Sequence, residues 1–357
     1  MDQKECRTDL NNPPYDSIRE SKIDKLAGKT LQWLATEPRL TKWRDSDRPE
    51  ALWITGSPGQ GKSVLTKAVV GELKQSIKRP DVAIIYFFCY NQDSDFRTPS
   101  SVLRALIVQL LEVPEMFQHL PRTFQQRRSE FVSASFASLP AKRHIEKNFR
   151  RFSRWDLYAK KQDLDYYRHS KLVELSVEMS TEHMDHIAKR LVERIGRSFL
   201  WISVAIKELA RIELPTIDKI DTVIDENPVE LSHMYRRAID QLKEKNDKDL
   251  LKVLLWVAYA KDTLRTSDLG VAISLDPRKN CKDLAQLKRY TSDLTHNLIR
   301  EKAGTLIEVT EGKVHFIHQS VKDYIIEENV VQTLGIPCGG LSPDLYLSRT
   351  CMEYLNF

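Results

Sequence analysis

Two kinds of hydrophobic pattern alternate along the first third of this chain. Residues 51–55 and 82–90 are short apolar runs rich in β-branched and aromatic side chains, which predict buried strands. Residues 62–77 and 101–111 repeat apolar side chains at helical spacing, which predicts helices with one buried face. Strand, loop, helix, strand, loop and helix in this order predict the opening of a doubly wound parallel sheet.

Outside this region the pattern is mostly helical. Residues 23–34 place apolar side chains near one face and predict a lead-in helix. Residues 187–206 and 250–259 predict buried helical segments, and the apolar run 314–317 predicts a strand that leads into a helix.

The turn between the first strand and the first helix carries the spacing G-x-x-x-x-G-K-[ST], which is the phosphate-binding loop of P-loop NTPases. Glycines let the backbone turn its N–H groups inward around phosphate oxygens, a lysine places a positive charge on the β- and γ-phosphates, and a serine hydroxyl is a Mg²⁺ ligand. The alternative is a glycine turn before an ordinary helix, and the flanking strand and helix favour the nucleotide site. The predicted nucleotide-binding residues are Gly56, Ser57, Gly59, Gln60, Gly61, Lys62, Ser63 and Val64, with Ser63 as the predicted metal ligand.

Composition describes a globular chain of 357 residues with room for two or three domains. Hydrophobic residues make up 41% and charged residues 29%, and no apolar run is long enough to cross a bilayer. The polar start of the chain shows no signal peptide, and five scattered cysteines favour a reducing compartment. We therefore expect a cytoplasmic protein with no membrane partner.

The net charge of +5 is concentrated in one stretch, because residues 122–161 carry eleven Lys or Arg side chains against three Asp or Glu. Such a patch can bind nucleic acid or anionic lipid. The alternative is a solvated insertion with a charged surface, and the lack of interleaved stacking aromatics favours this alternative. We do not expect nucleic acid as a partner.

Several segments resemble the fungal NACHT-domain proteins, also described as nephrocystin-3-like N-terminal P-loop proteins, which belong to the STAND class of signal-transducing NTPases. The phosphate loop is the strongest of these similarities, and the others are spread over about four-fifths of the chain. They lie at LQWL (31–34), LWITGSPGQGKSVL (52–65), YFFC (86–89), SSVLRALIVQLL (100–111), and residues 172–209, 228–242, 254–273, 314–326 and 345–355.

The resemblance implies an α/β fold in which an incomplete P-loop NTPase-type parallel sheet is followed by helical and winged-helix domains. The implied boundaries are a lead-in over 1–50, a nucleotide-binding domain over 51–171 with a degenerate basic stretch at 112–165, a helical domain over 172–245, a winged-helix-like domain over 246–335, and a junction over 336–357 that leads into ankyrin or other repeats in many relatives.

The resemblance also implies a function in signal transduction or assembly, with ATP or GTP and Mg²⁺ bound and with protein partners or self-association. It further implies that His318 contacts the β-phosphate of bound ADP and holds a closed state. The alternative for His318 is a capping or packing role inside the winged helix, and both readings stay open.

The main departure from the family is the absence of its second, acidic motif. In the family this motif holds Mg²⁺ and helps to activate water. No apolar strand running into an acidic pair occurs between residues 112 and 175, so we interpret the chain as a truncated member whose sheet has lost a central strand. The acids that could substitute are Asp81, Asp93, Asp95, Asp156, Asp163 and Asp165.

Asp93 and Asp95 have the best predicted position, because they follow a strand at the carboxyl edge of the sheet. We expect a nucleotide-dependent switch with weak or absent hydrolysis. The alternatives are an active ATPase or kinase-type enzyme that uses Asp93 or Asp95, and a degenerate interaction scaffold with no enzymatic activity.

Overall fold

The computed structural model describes residues 15, 16, 23, 25–48, 50–78, 82–90, 93, 96–110, 113, 152–175, 179–194, 198–212, 214–228, 230–244, 248–275, 306–330, 338 and 340–355. Within them the fold is mixed α/β and mostly helical, with one two-stranded parallel sheet and one two-stranded antiparallel sheet. No helix among these residues is long and apolar enough to cross a membrane. The chain divides into two compact units, Met1–Glu174 with Arg197–Leu200, and Leu175–Gly196 with Trp201–Phe357.

The first unit contains the parallel sheet. Its elements are a 3-10 helix at Gln32–Thr36, α1 (Pro38–Arg44), β1 (Ala51–Thr55), α2 (Lys62–Ser76), α3 (Pro99–Leu110), β2 (Phe152–Asp156) and α4 (Lys161–Leu175, whose last residue is assigned to the second unit). The predicted strand and helix on either side of the glycine loop are therefore confirmed, and so is the helix predicted at 101–111.

The two parallel strands pair in register from Ala51 with Phe152 to Thr55 with Asp156. Alternate side chains of a strand point to opposite faces, so Ile54 and Trp155 lie side by side in a core with Leu65 of α2. Burial of this apolar surface holds the helix against the sheet.

The predicted central strand at 82–90 is not a strand of either sheet in the described part of the chain. A strand needs a neighbouring backbone to pair with, and here the buried peptide of Tyr86 is paired by a side chain instead. The Tyr86 N–H donates to Oε1 of Gln109 at 3.0 Å, and Nε2 of Gln109 donates to the Tyr86 carbonyl at 2.8 Å. The Gln109 carboxamide, on α3, thus takes the place of a neighbouring strand as the hydrogen-bond partner of the Tyr86 peptide.

The predicted lead-in helix over 23–34 is also wrong, because residues 25–31 are not helical. Gly28 and Leu31 have left-handed backbone angles, with φ of 53° and 60°. The Leu31 N–H donates to Oδ1 of Asp163 at 3.0 Å, and Nε1 of Trp33 donates to Oδ2 at 2.7 Å. In a continuous helix the Leu31 N–H would donate to a backbone carbonyl, whereas here it donates to the buried carboxylate of Asp163.

The second unit is built from helices and one β-hairpin. Its elements are α5 (Thr181–Arg194), α6 (Phe199–Leu209, whose first two residues belong to the first unit), α7 (Ile217–Glu226), α8 (Leu231–Glu244), α9 (Lys248–Tyr259), α10 (Thr266–Ser274), β3 (Ile307–Thr310), β4 (Lys313–Phe316), α11 (Gln319–Glu327) and α12 (Pro343–Tyr354).

The core of this unit surrounds α9, which packs against α8, α10, α11, α12 and β4. The buried helix predicted at 250–259 and the strand predicted at 314–317 are thereby confirmed. Two of the candidate acids, Asp81 and Asp95, and most of the basic stretch 112–165 lie outside the described residues.

Because the Gln109 side chain bonds the Tyr86 backbone, we expect the stability of the protein to depend on this side-chain carboxamide. Gln109→Leu fills the same space but removes both hydrogen bonds between the Gln109 side chain and the buried Tyr86 peptide, and each lost bond costs about 1–3 kcal/mol. We expect urea unfolding of this variant to show a free energy of unfolding lower by about 2 kcal/mol or more.

Gln75 is the matched control, because it is an exposed glutamine of α2. Gln75→Leu should stay within about 0.5 kcal/mol of the parent chain. Equal stability of the two variants would show that Gln109 does not replace a ladder partner.

Candidate functional site

The glycine loop joins the end of β1 to the start of α2. Gly59 and Gly61 have φ of 75° and 81°, which side chains with a Cβ rarely adopt. Gly61 is the N-cap of the 15-residue helix α2 and supplies no capping side chain. The first N–H groups of α2 therefore end at the loop without a capping side chain, and the positive end of the helix dipole favours an anion there.

Lys62 lies over the same loop. Its Nζ donates to the carbonyl of Gly56 at 2.6 Å and to that of Ser57 at 3.0 Å. Partial burial lowers the pKa of the Lys62 ammonium, because desolvation penalises its charged form. A phosphate group would give this ammonium a negatively charged partner in place of the two neutral carbonyls.

The segment after β2 supports the loop from one side. The Leu157 N–H donates to the Thr55 carbonyl at 2.6 Å, and a Cβ on Gly56 would stand 2.8 Å from the Leu157 carbonyl oxygen. The Ala159 N–H donates to Oε1 of Gln60 at 2.7 Å. The loop therefore has its shape fixed by a backbone that lies about 100 residues further along the chain.

Residues 198–200 contact the loop through its two left-handed glycines. The Phe199 N–H donates to the Gly59 carbonyl at 2.9 Å. A Cβ on Gly59 would stand 2.3 Å from Oγ of Ser198 and 2.6 Å from Cβ of Leu200, and a Cβ on Gly61 would stand 3.0 Å from the Phe199 ring. Real Cβ contacts are not this short, so glycine is required at Gly59 by packing as well as by φ.

The Phe199 ring is itself positioned by an aromatic neighbour. Tyr167 of α4 meets it edge to face, with ring centroids 5.3 Å apart. Such pairs stabilise by about 0.5–1.5 kcal/mol beyond the area they bury. The loop, α4 and the start of α6 therefore form one packed group within the first unit.

The predicted acids have different positions. Asp156 ends β2 next to Thr55, and Thr55 Oγ1 donates to its Oδ1 at 2.5 Å. Asp163 is buried and bonds the lead-in segment, while Asp165 pairs with Arg168 of the same helix. Asp93 lies in a bend where the Phe96 N–H donates to its carbonyl at 3.1 Å. In the described part of the chain, no group of three His, Cys, Asp or Glu side chains could hold a metal ion.

His318 lies in the second unit as the N-cap of α11. Its Nδ1 accepts a hydrogen bond from the Ser320 N–H at 3.1 Å, and Oγ of Ser320 is 2.7 Å from the same nitrogen. The Ser320 hydroxyl is also 2.8 Å from the Tyr235 hydroxyl. The capping role that the sequence left open is present, and the phosphate contact stays a prediction.

The strand before the loop, the loop and the helix that begins at Lys62 are present as predicted, and the nucleotide contacts of residues 56–64 stay predictions. Sequence analysis missed the support from Leu157, Ala159 and residues 198–200. The family-like segment 172–209 includes residues 198–200, but the resemblance does not indicate that they contact the loop.

Two comparisons bear on this site. A family model described as "Nephrocystin 3, N-terminal" matches residues 29–150. The vegetative incompatibility protein HET-E-1 of Podospora anserina is 24% identical over 393 residues, an alignment that covers 90% of this chain. No solved structure matches. Together the two matches support the resemblance seen in the sequence, that of a fungal NACHT-like family member.

The comparison with HET-E-1 also concerns length. The chain spans only 28% of that relative. The alignment of 393 positions is longer than the chain of 357 residues, so the relative contains residues that have no counterpart here.

The tight packing at Gly59 predicts a large loss of stability for Gly59→Ala. The left-handed backbone costs about 1–2 kcal/mol for a residue with a Cβ, and the overpacking against residues 198–200 adds about 1–3 kcal/mol. Urea unfolding without nucleotide should therefore show a free energy of unfolding lower by about 2–5 kcal/mol.

Gly71 of α2 gives the control, because a Cβ there would meet nothing within 4 Å. Gly71→Ala should leave the protein as stable as before or raise the free energy of unfolding by about 0.5–1 kcal/mol. A Gly59→Ala variant as stable as Gly71→Ala would contradict the packing of residues 198–200 on the loop.

Proposed function

We propose that this fungal NACHT-like chain is a nucleotide-binding module that acts as a nucleotide-dependent switch in signalling or assembly, with weak or absent hydrolysis. The homology suggests an NTPase-type signalling module. The observation that carries the proposal is the glycine loop itself, with Lys62 bonded to two of its carbonyls and the start of α2 lacking a capping side chain.

The chemistry of the loop fits a phosphate group. Gly59 and Gly61 keep side chains out of the turn, so backbone N–H groups at the start of α2 can approach an anion closely. Lys62 would contact the β- and γ-phosphates, and the exposed Ser63 hydroxyl would be a ligand of Mg²⁺. Ser57, Gln60 and Val64 complete the predicted site for ATP or GTP.

We also propose that the first unit is an incomplete P-loop NTPase domain, and that the β3–β4 hairpin with its neighbouring helices is a winged helix. The parallel pairing of β1 with β2 supports the first proposal, and the hairpin followed directly by α11 supports the second. Because the chain spans 28% of HET-E-1, we propose that it works within a longer protein with further partner-binding segments.

Nucleotide binding should appear as a rise in melting temperature. A ligand that binds only the folded state at about 100 times its Kd stabilises by about 2.7 kcal/mol. We expect Mg-ATP or Mg-GTP to raise the Tm by several degrees, and Lys62→Ala to remove the rise because the phosphates lose their charged partner.

Lys78 supplies the control, since it is an exposed lysine just beyond α2. Lys78→Ala should keep the full rise in Tm. No rise for the parent chain with either nucleotide would favour an interaction scaffold, and steady phosphate release that Asp93→Asn abolishes would favour an ordinary P-loop enzyme.

The two roles of His318 can be separated by substitution. Asparagine is a good N-cap, so His318→Asn should keep the stability of α11, whereas His318→Ala should cost about 1 kcal/mol. We expect His318→Asn to weaken ADP binding, measured by calorimetry. The substitution removes the imidazole ring that would donate to the β-phosphate. Unchanged ADP affinity in this variant would leave His318 with its capping role alone.

A further inference from the structure

One carboxylate stands at the carboxyl edge of the parallel strands beside the glycine loop. The register of β1 and β2 places Asp156 directly opposite Thr55, and Thr55 is the residue before Gly56. Ligands of parallel α/β sheets bind at the carboxyl ends of the strands. Asp156 therefore occupies the edge where a bound phosphate and its metal would be expected.

Asp156 is oriented by its neighbours and keeps one oxygen available. Thr55 Oγ1 and Nε of Arg154 both donate to Oδ1, the latter at 3.0 Å. Among the described residues no hydrogen bond reaches Oδ2, and half of the side chain is exposed. The carboxylate is thus held through one oxygen, and the other accepts no hydrogen bond from the described residues.

The charge of this group suits a cation. Hydrogen bonds from Thr55 and Arg154 lower the pKa of the Asp156 carboxyl. Mg²⁺ prefers carboxylate, hydroxyl and phosphate oxygens, keeps several waters and needs only one or two protein ligands. A single carboxylate beside a phosphate loop is sufficient for that chemistry.

The other acids of the first unit fit less well. Both oxygens of Asp163 accept hydrogen bonds from the lead-in segment, and Asp165 pairs with Arg168 on α4. Asp93 lies in a bend after residues 82–90, which have no ladder partner in the described sheets. Of the candidate acids that the structure describes, Asp156 is the one whose position next to the loop is fixed by strand register.

We propose that Asp156 is the carboxylate that holds Mg²⁺, directly or through its bound water, when a nucleotide occupies the glycine loop, together with the hydroxyl of Ser63. The inference rests on the proposed nucleotide binding and assigns the acidic position to a residue at the end of β2. It concerns the affinity for the metal–nucleotide complex and includes no hydrolytic step.

The test compares nucleotide affinity with and without metal. Calorimetry with ATP in Mg²⁺ and with ATP in EDTA gives the gain in affinity that the metal supplies. Asp156→Asn should reduce this gain by about 10- to 100-fold and leave metal-free ATP binding unchanged. The asparagine retains an oxygen that accepts from Thr55, so the local fold should persist.

Asp93→Asn is the matched control and should keep the whole gain. A full gain in Asp156→Asn, or a loss in Asp93→Asn instead, would overturn the assignment. If metal-free binding also weakens in Asp156→Asn, then Asp156→Glu should restore the gain, and failure to restore it would equally overturn the assignment. A parent chain that binds no ATP under either condition would refute the proposed function itself.

Discussion

The close approach of other backbone segments to the glycine loop is the constraint on which the first unit depends. Gly56 leaves room for the Leu157 carbonyl, and Gly59 leaves room for Ser198 and Leu200. Protein interiors are close-packed, so an added methyl group at such a contact has no free space to occupy. The loop therefore owes its shape to the end of β2 and the start of α6 as much as to its own sequence.

This packing gives the glycines two separate reasons to be present. One reason is the positive φ of Gly59 and Gly61, which lets the backbone turn around an anion. The other is steric, and it acts whether or not an anion is bound. A glycine-rich loop in a sequence is usually interpreted by the first reason alone, so the second remains hidden until the neighbouring segments are placed.

The sequence predicts those parts of the fold that depend on residues close together along the chain. The β1–loop–α2 element was predicted correctly, because its pattern, its turn glycines and its helix start are all local. Its neighbours were missed, because the contacts of Gly56 with Leu157 and of Gly59 with Phe199 join positions about 100 residues or more apart. Periodicity carries no information about such contacts.

The two wrong elements have the same cause. The lead-in helix fails because Asp163, 132 residues away, accepts the Leu31 N–H. The strand at 82–90 fails because strand formation requires a paired neighbour, and the amide of Gln109 pairs the Tyr86 peptide instead. Apolar, β-branched composition indicates a buried extended segment, and it does not say what lies beside it.

The candidate site shows the same division between local and distant information. Lys62 and Ser63 follow from the motif, whereas Asp156 was one of six possible acids until the register of β1 with β2 placed it opposite Thr55. The core beneath the loop uses Ile54, Leu65 and Trp155, and none of these contacts involves residues 82–90. Support for the glycine loop therefore does not require an extended sheet. Nucleotide binding and hydrolysis have different structural requirements, and a chain with a shortened sheet can keep the first while losing the second.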